Sequence, residues 1–375
     1  MTAVDVLRMS RTDLPEGGLH RLSVGALDTE TGGHLPDVEL AYETWGRLNA
    51  DGTNAVLVLH ALTGDTHVAA HAEDPSRGWW DELLGPGRAV DTDRWFVVAP
   101  NIVGGCSGST GPASPDPEGR PWGSRFPFIT LRDAVEVESR LADHLGIDRW
   151  HAAIGGSMGG ARALEWAVGR PDRVAGVGVL ASTAHSSAEQ IAFAQSQTQA
   201  IRLDPDFRGG DYYGGPQPAA GLGIARRIAH ITYRSAAELA TRFGRGHQGE
   251  EDPFGTAAGE RIGRYQVESY LDHQASKLVD RFDANAYLTI TEALMSHDVG
   301  RGRGGVAAAL QRFTGRAFVA AVESDRLYLP AESEELAALL PARPTVHRID
   351  SPLGHDGFLV HYGQVAEQLK KDLAL

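Results

Sequence analysis

Cysteine is nearly absent from this chain of 375 residues, where Cys106 stands alone. A single thiol excludes an intramolecular disulfide framework and any multi-cysteine metal site, and it fits a reducing, cytoplasmic setting. Positive charge is also scarce: 35 lysines and arginines face 49 aspartates and glutamates, a formal net charge of −14. A field of that sign repels phosphate backbones and anionic headgroups, which excludes a general nucleic-acid or membrane surface. A polyanionic small ligand would need a local basic pocket. Long apolar runs are missing as well, since no predominantly apolar stretch approaches the ~20 residues of a membrane span. Near the N-terminus, Arg8, Arg11, Asp13 and Glu16 stand in place of an apolar signal region. A soluble cytoplasmic protein is expected. Internal repeats and low-complexity tracts are lacking too, so disorder is expected only over the first dozen or so residues.

What is present is enough apolar side chain, 42% of residues, for a large core in one enlarged domain or a domain with an insertion. Short apolar runs at 56–59, 95–99, 151–154, 177–180 and 317–322 alternate with helical patterns at 131–145, 161–168, 334–340 and 365–373. Strands without polar alternation, separated by helices, predict an α/β fold with a mostly parallel sheet covered on both faces. That rhythm stops between about residues 184 and 305. The segment is polar, rich in glutamine over 190–199 and helix-compatible over 225–231 and 264–278, with no clear buried strand. It is expected to fold as a helical lid over the C-terminal edge of the sheet, where such folds bind ligands. The expected organisation is a core in two parts, 1–183 and 306–375, interrupted by a lid insertion, 184–305.

One junction carries chemistry. The apolar run ending at Ile154 breaks into Gly155-Gly156-Ser157-Met158-Gly159-Gly160 and continues as a helix. Glycines at 155 and 159 remove Cβ atoms that would clash in a sharp strand-to-helix turn, and the turn presents the Ser157 hydroxyl at a helix N-terminus. A serine hydroxyl needs a base, and the base a carboxylate. In the serine, acid, histidine order of α/β hydrolases, the acid follows a late strand. Asp325 lies just after the run 317–322, with Glu323 as the alternative, and His355 sits in the glycine-flanked loop Gly354-His355-Asp356-Gly357. The oxyanion hole falls to the backbone N–H of Met158 and of Leu62 or Thr63, after the early strand. His60, His67 and His71 suggest a metal cluster, but no carboxylate or cysteine completes it at a standard spacing, so no metal is expected. Cys106, in a glycine-rich loop, reads as pocket wall.

Six blocks in order extend this pattern over nearly the whole chain: His60-Ala61-Leu62-Thr63-Gly64, the glycine-rich loop around Cys106, the Ser157 turn, Ile231-Thr232-Tyr233-Arg234, Glu268-Ser269-Tyr270-Leu271-Asp272-His273-Gln274, and the His355 loop through Phe358. Together they resemble the homoserine O-acetyltransferase family of the α/β-hydrolase fold. The resemblance implies acetyl transfer from acetyl-CoA to the hydroxyl of L-homoserine, an entry step to methionine, through an acyl-serine and in a homodimer. Acetyl-CoA would be a co-substrate, with no separate cofactor. It also implies Ser157 as nucleophile, His355 as base and Asp325 as its orienting acid. Arg226, ahead of its neighbour Arg227, would pair with the homoserine carboxylate, Asp356 would hold its ammonium, and Tyr233 would stand beside the substrate. A zwitterion needs one fixed cation and one fixed anion, and a guanidinium grips a carboxylate through two hydrogen bonds. The competing readings are a succinyl donor or serine acceptor, an esterase or amidase using water, and a non-catalytic binding protein on the same fold.

Overall fold

A computed structural model describes residues 17–254 and 263–375. The disorder expected of the first dozen residues falls outside the described ones. Among the described residues, eight strands form the central sheet: β1 (His20–Ser23), β2 (Glu39–Trp45), β3 (Ala55–Leu59), β4 (Phe96–Pro100), β5 (Ala152–Gly156), β6 (Gly176–Leu180), β7 (Arg316–Val322) and β8 (Val346–Ile349). Their spatial order is β1-β2-β4-β3-β5-β6-β7-β8. The pairings of β1 with β2 and of β2 with β4 are antiparallel. All the others run parallel.

Alternation along the strands divides the core between two faces. Leu57, Leu59, Phe96, Val98, Val177 and Val179 pack on one side with α1 (Leu131–His144) and α2 (Met158–Gly169). Val56, Val58, Ile154 and Phe318 pack on the other with Leu369 and Leu373. These last two belong to the closing helix, Ala366–Leu373. Burial on both faces is why these strands read as unbroken apolar runs.

Strand β2, paired on both sides, escapes that reading, because Glu43 and Thr44 interrupt its sequence Glu-Leu-Ala-Tyr-Glu-Thr-Trp, yet both are buried. Thr66 and two histidines satisfy the Glu43 carboxylate, so its burial carries no unpaired charge.

Between β6 and β7 the longer regular elements are helices: α3 (Ala188–Arg202), α4 (Ala219–Tyr233), α5 (Ala236–Phe243), α6 (Gln266–Val279) and α7 (Ala284–Met295), followed by the short α8 (Val306–Leu310). The glutamine-rich stretch becomes α3. Ser187 accepts from the Gln190 N–H and the Gln190 side chain reaches back to the Ser187 N–H, a reciprocal cap. A Cβ on Gly221 would lie 2.5 Å from the Ala200 carbonyl oxygen, so α3 and α4 approach backbone to backbone.

The same logic fixes the turn from β5 to α2. A Cβ on Gly155 would lie 2.3 Å from the Gly159 carbonyl carbon, and one on Gly159 would lie 2.0 Å from the Leu59 carbonyl oxygen. Both contacts are with backbone, which cannot give as a side-chain tip can. Gly159→Ala is therefore expected to lower stability by roughly 1–3 kcal/mol or more in urea denaturation. Gly363→Ala, where the added atom meets none of the described residues within 4 Å, is the control. Equal denaturation midpoints would contradict the close-approach account.

Candidate active site

Ser157 follows β5 with φ 55° and ψ −126°, a left-handed backbone that serine adopts only under constraint. Its N–H donates to the Leu180 carbonyl at 2.9 Å and its carbonyl accepts from the Ala161 N–H at 3.1 Å, pinning the turn on both sides. Met158 is the first residue of α2, so its N–H lies beyond the reach of the helix's own carbonyls. Leu62 lines the cavities on both sides of Ser157, and Thr63 lines one of them.

His355 sits in the tight turn Gly354–Asp356 after β8. Its Nδ1 is 2.7 Å from Asp325 Oδ2, and both side chains are buried. The other Asp325 oxygen accepts from the N–H groups of Leu327 at 2.8 Å and Tyr328 at 3.0 Å. Both carboxylate oxygens are thus engaged, and Glu323 turns outward towards Arg348 at 3.6 Å. The imidazole stacks on Tyr328 at 5.0 Å and meets Phe358 edge-on. With Nδ1–H donated to Asp325, Nε2 is the basic nitrogen. It lies buried without a partner among the described residues, in a cavity that Ser157 also lines. Burial works against charge on His355, but Asp325, with a further contribution from Asp356, holds its pKa above the usual imidazole value.

Two cavities meet at Ser157 and share Leu62 and Tyr233. The smaller, about 50 Å³, is walled by Phe193, Leu294 and Met295 with the amides of Gln190 and Gln197. The larger, about 250 Å³, carries Arg226, Arg281, His355 and Asp356. Arg226 lies over the Tyr233 ring at 5.8 Å and reaches Thr63 Oγ1 at 3.4 Å, while its Nε is buried without a partner among the described residues. Its neighbour Arg227 points away, to Asp272 at 2.8 Å. Sequence reasoning missed Arg281, which donates to the Thr63 carbonyl at 2.9 Å. It lies in the turn between α6 and α7, where no motif marks it. Asp356 also has a partner that the sequence did not assign, Arg234 at 3.2 Å.

The three early histidines part company. His60 is buried beside Arg162, and burial with that neighbouring charge pushes its pKa down to about 3. Nε2 accepts from the Ile102 N–H at 3.1 Å, and Nδ1–H donates to the Ala61 carbonyl at 2.7 Å. A neutral ring thereby ties the end of β3, where the loop carrying Leu62 and Thr63 begins, to the end of β4. His67 and His71 gather with Glu43, a carboxylate from β2 that spacing along the sequence had concealed. Glu43 Oε2 lies 3.0 Å from His67 Nδ1 and 3.1 Å from His71 Nε2. His71 Nδ1 faces the N–H groups of Glu73 and Asp74, so its proton belongs on Nε2. His67 Nε2 meets the Ser76 carbonyl, so both of its nitrogens carry protons. This donor set suits an ion pair better than a metal, whose ligand nitrogens must be free of protons. Cys106 packs against the core and does not line either cavity, and burial pushes its thiol up to about 11.

Sheet order, strand-to-helix turn and serine, acid, histidine geometry define an enzyme of the α/β-hydrolase class, and the family model described as alpha/beta hydrolase fold matches residues 54–362. Homoserine O-acetyltransferase from Thermobifida fusca (strain YX) is 59% identical over 352 residues, covering 93% of this chain and 91% of that protein. The crystal structure of homoserine O-acetyltransferase from Bacillus anthracis matches with a TM-score of 0.89 at 26% identity, over 96% of this chain and 99% of that one. An acetylester hydrolase from Corynebacterium glutamicum matches with a TM-score of 0.78 at 27% identity, over 96% of each chain. This chain belongs to the homoserine O-acetyltransferase family.

The His355–Asp325 pair sets a pH dependence. Only a neutral His355 accepts a proton, so kcat/KM should rise with pH along a limb lying above the ordinary imidazole value of ~6.5. The pair's contribution to folding stability has the opposite sense. It is complete below the unfolded imidazole pKa and is lost as pH rises through the raised folded one. In Asp325→Asn the limb should move down and the rate should fall by roughly four orders of magnitude. An unmoved limb in a pH–rate profile would contradict this pairing.

Proposed function

We propose that the chain moves an acetyl group from acetyl-CoA to the side-chain hydroxyl of L-homoserine, an entry step to methionine, through an acetyl ester on Ser157. The observation that carries this reading is the buried Nε2 of His355, without a partner among the described residues, beside Ser157 in a cavity that also holds Arg226 and Asp356. In the first half, Ser157 Oγ attacks the thioester carbonyl as its proton passes to His355 Nε2. The oxyanion is held by the N–H of Met158 and of Leu62 or Thr63. The carbon–sulfur bond breaks and His355 returns the proton to the departing thiolate. In the second half, the homoserine hydroxyl gives its proton to His355 and attacks the ester, and the carbon–Oγ bond breaks as Ser157 takes the proton back. Arg226 pairs with the acceptor carboxylate and Asp356 with its ammonium, Tyr233 forming the wall between them. Acetyl-CoA serves as co-substrate and no metal or further cofactor takes part. We assign the working form to a cytoplasmic homodimer, on the family resemblance.

Water is the competing acceptor, a reading favoured by the likeness to an acetylester hydrolase. A covered site with fixed charges for an amino acid argues for transfer, because the ester must survive until the acceptor arrives.

One nucleophile serving both halves requires free CoA to leave before homoserine reacts. Initial rates over a grid of both substrates should give parallel double-reciprocal lines, with acetyl-CoA preferred to succinyl-CoA. Intersecting lines would indicate direct transfer in a ternary complex. Thiol release undiminished without homoserine would indicate hydrolysis.

Arg226→Ala should raise the homoserine KM by about tenfold to a hundredfold, the worth of a charged hydrogen bond. The burst of CoA release on acylation should be spared, since the first half needs no acceptor carboxylate. Arg227→Ala is the control. A collapse of the burst in Arg226→Ala, or a larger effect at Arg227, would contradict the assignment.

A further inference from the structure

The lid meets the histidine loop along a short seam. Gly354 (φ 70°) lies so close to the lid that a Cβ would stand 2.4 Å from the Tyr233 carbonyl oxygen and 2.8 Å from the Ser235 nitrogen. Ser235 Oγ donates to the Pro352 carbonyl at 2.5 Å. Between these two contacts, Arg234 at the C-terminal end of α4 places Nη2 3.2 Å from Asp356 Oδ2, with both side chains mostly buried. Its other terminal nitrogen, Nη1, is 3.9 Å from Glu238 Oε1 on α5. Arg234 is thus fixed from behind by an acid on the lid and from the front by the loop that carries His355.

Asp356 lines the larger cavity and uses Oδ2 for this ion pair. The charged or titratable groups that face it are Arg234, His355, Arg226, Asp325 and Tyr233. Burial raises its pKa, and the strongest opposing influence is Arg234, ahead of His355 and Arg226. Without that cation a buried carboxyl would hold its proton further towards neutral pH. A neutral acid no longer offers an ammonium a counter-charge.

We propose that Arg234 is the positioning residue for Asp356: it keeps that carboxylate ionised and fixed at the cavity wall, and thereby makes the site selective for hydroxyl acceptors that carry an α-ammonium. The inference rests on the reading of Asp356 given under Proposed function. Arg234 touches neither the reacting atoms nor the acceptor in this scheme. Its effect is therefore confined to the second half-reaction and depends on whether the acceptor has an amine.

The test measures homoserine KM from about pH 6 to about pH 8.5, CoA release on acylation, and transfer to 4-hydroxybutyrate, which keeps the hydroxyl and carboxylate but lacks the amine. In Arg234→Met, homoserine KM is expected to rise about tenfold at the acidic end, the scale of one charged contact, and the excess should shrink as pH rises and Asp356 ionises. Acylation and transfer to 4-hydroxybutyrate should stay within about twofold of wild type, and Arg234→Lys should restore most of the binding. Arg234→Gln, polar but uncharged, should give the same pH signature and serves if the methionine variant does not fold. In an Asp356→Asn background, Arg234→Met should add nothing further.

A homoserine KM shift independent of pH, equal losses for both acceptors, or additive effects in the double variant would overturn the inference. If Asp356→Asn itself leaves homoserine KM unchanged, the ammonium reading of Asp356 fails and this inference fails with it. A clear Asp356→Asn defect beside a silent Arg234→Met overturns the Arg234 role alone.

Discussion

The site depends on one backbone constraint, the left-handed conformation of Ser157 between a fully buried strand and a helix. Such a residue persists only where its surroundings over-determine it. Three neighbours do so. Gly155 lets the strand pass against the Gly159 backbone, Gly159 lets α2 settle on the end of β3, and Gly156 leaves room for the Phe358 ring, which a Cβ would meet at 2.2 Å. Behind the turn, Arg162 on α2 is fully buried and pairs with Glu138 on α1, whose other oxygen accepts from Trp166 Nε1 at 2.7 Å. Breaking one partner of such a pair would leave an uncompensated charge in the core, at a cost of several kcal/mol. The same guanidinium helps keep His60 neutral, so the serine turn and the loop bearing Leu62 and Thr63 share one buried electrostatic arrangement.

Around that fixed point the chain places opposite charges on opposite supports. Arg226 comes from the lid, Arg281 from the turn that precedes α7, and Asp356 from the loop behind β8. None of these positions is adjacent to another in sequence. The cavity's charge pattern exists only when lid and core are seated together, and the contacts among Gly354, Ser235 and Pro352 are what seat them. A hydroxyl acceptor bearing both a carboxylate and an ammonium matches this layout. An uncharged ester needs neither cation nor anion.

Much of this was legible in the sequence because it is locally encoded. Strands buried on both faces read as unbroken apolar runs, and a serine fenced by glycines reads as a sharp turn. Asp325 and His355 could be placed because each follows a strand in a fixed chain order. What was not legible depends on pairs distant in sequence. Glu43 lies more than twenty residues before His67, so the ion-paired cluster looked like unpartnered histidines, and β2, interrupted by Glu43 and Thr44, forms no unbroken apolar run. Arg281 sits in an ordinary turn, and Arg234 was visible in a motif but had no role until Asp356 appeared beside it. The glutamine-rich stretch read as merely polar, although Ser187 and Gln190 had the spacing of a capping box.

The central claim is that Ser157 carries the acetyl group between donor and acceptor. Peptide mass spectrometry of the protein quenched after exposure to acetyl-CoA alone tests it most directly. The account predicts one acetyl group on the peptide containing Ser157, lost on adding homoserine and never formed in Ser157→Ala. An unmodified peptide under conditions that support turnover, or an acetyl group on Cys106, would contradict it.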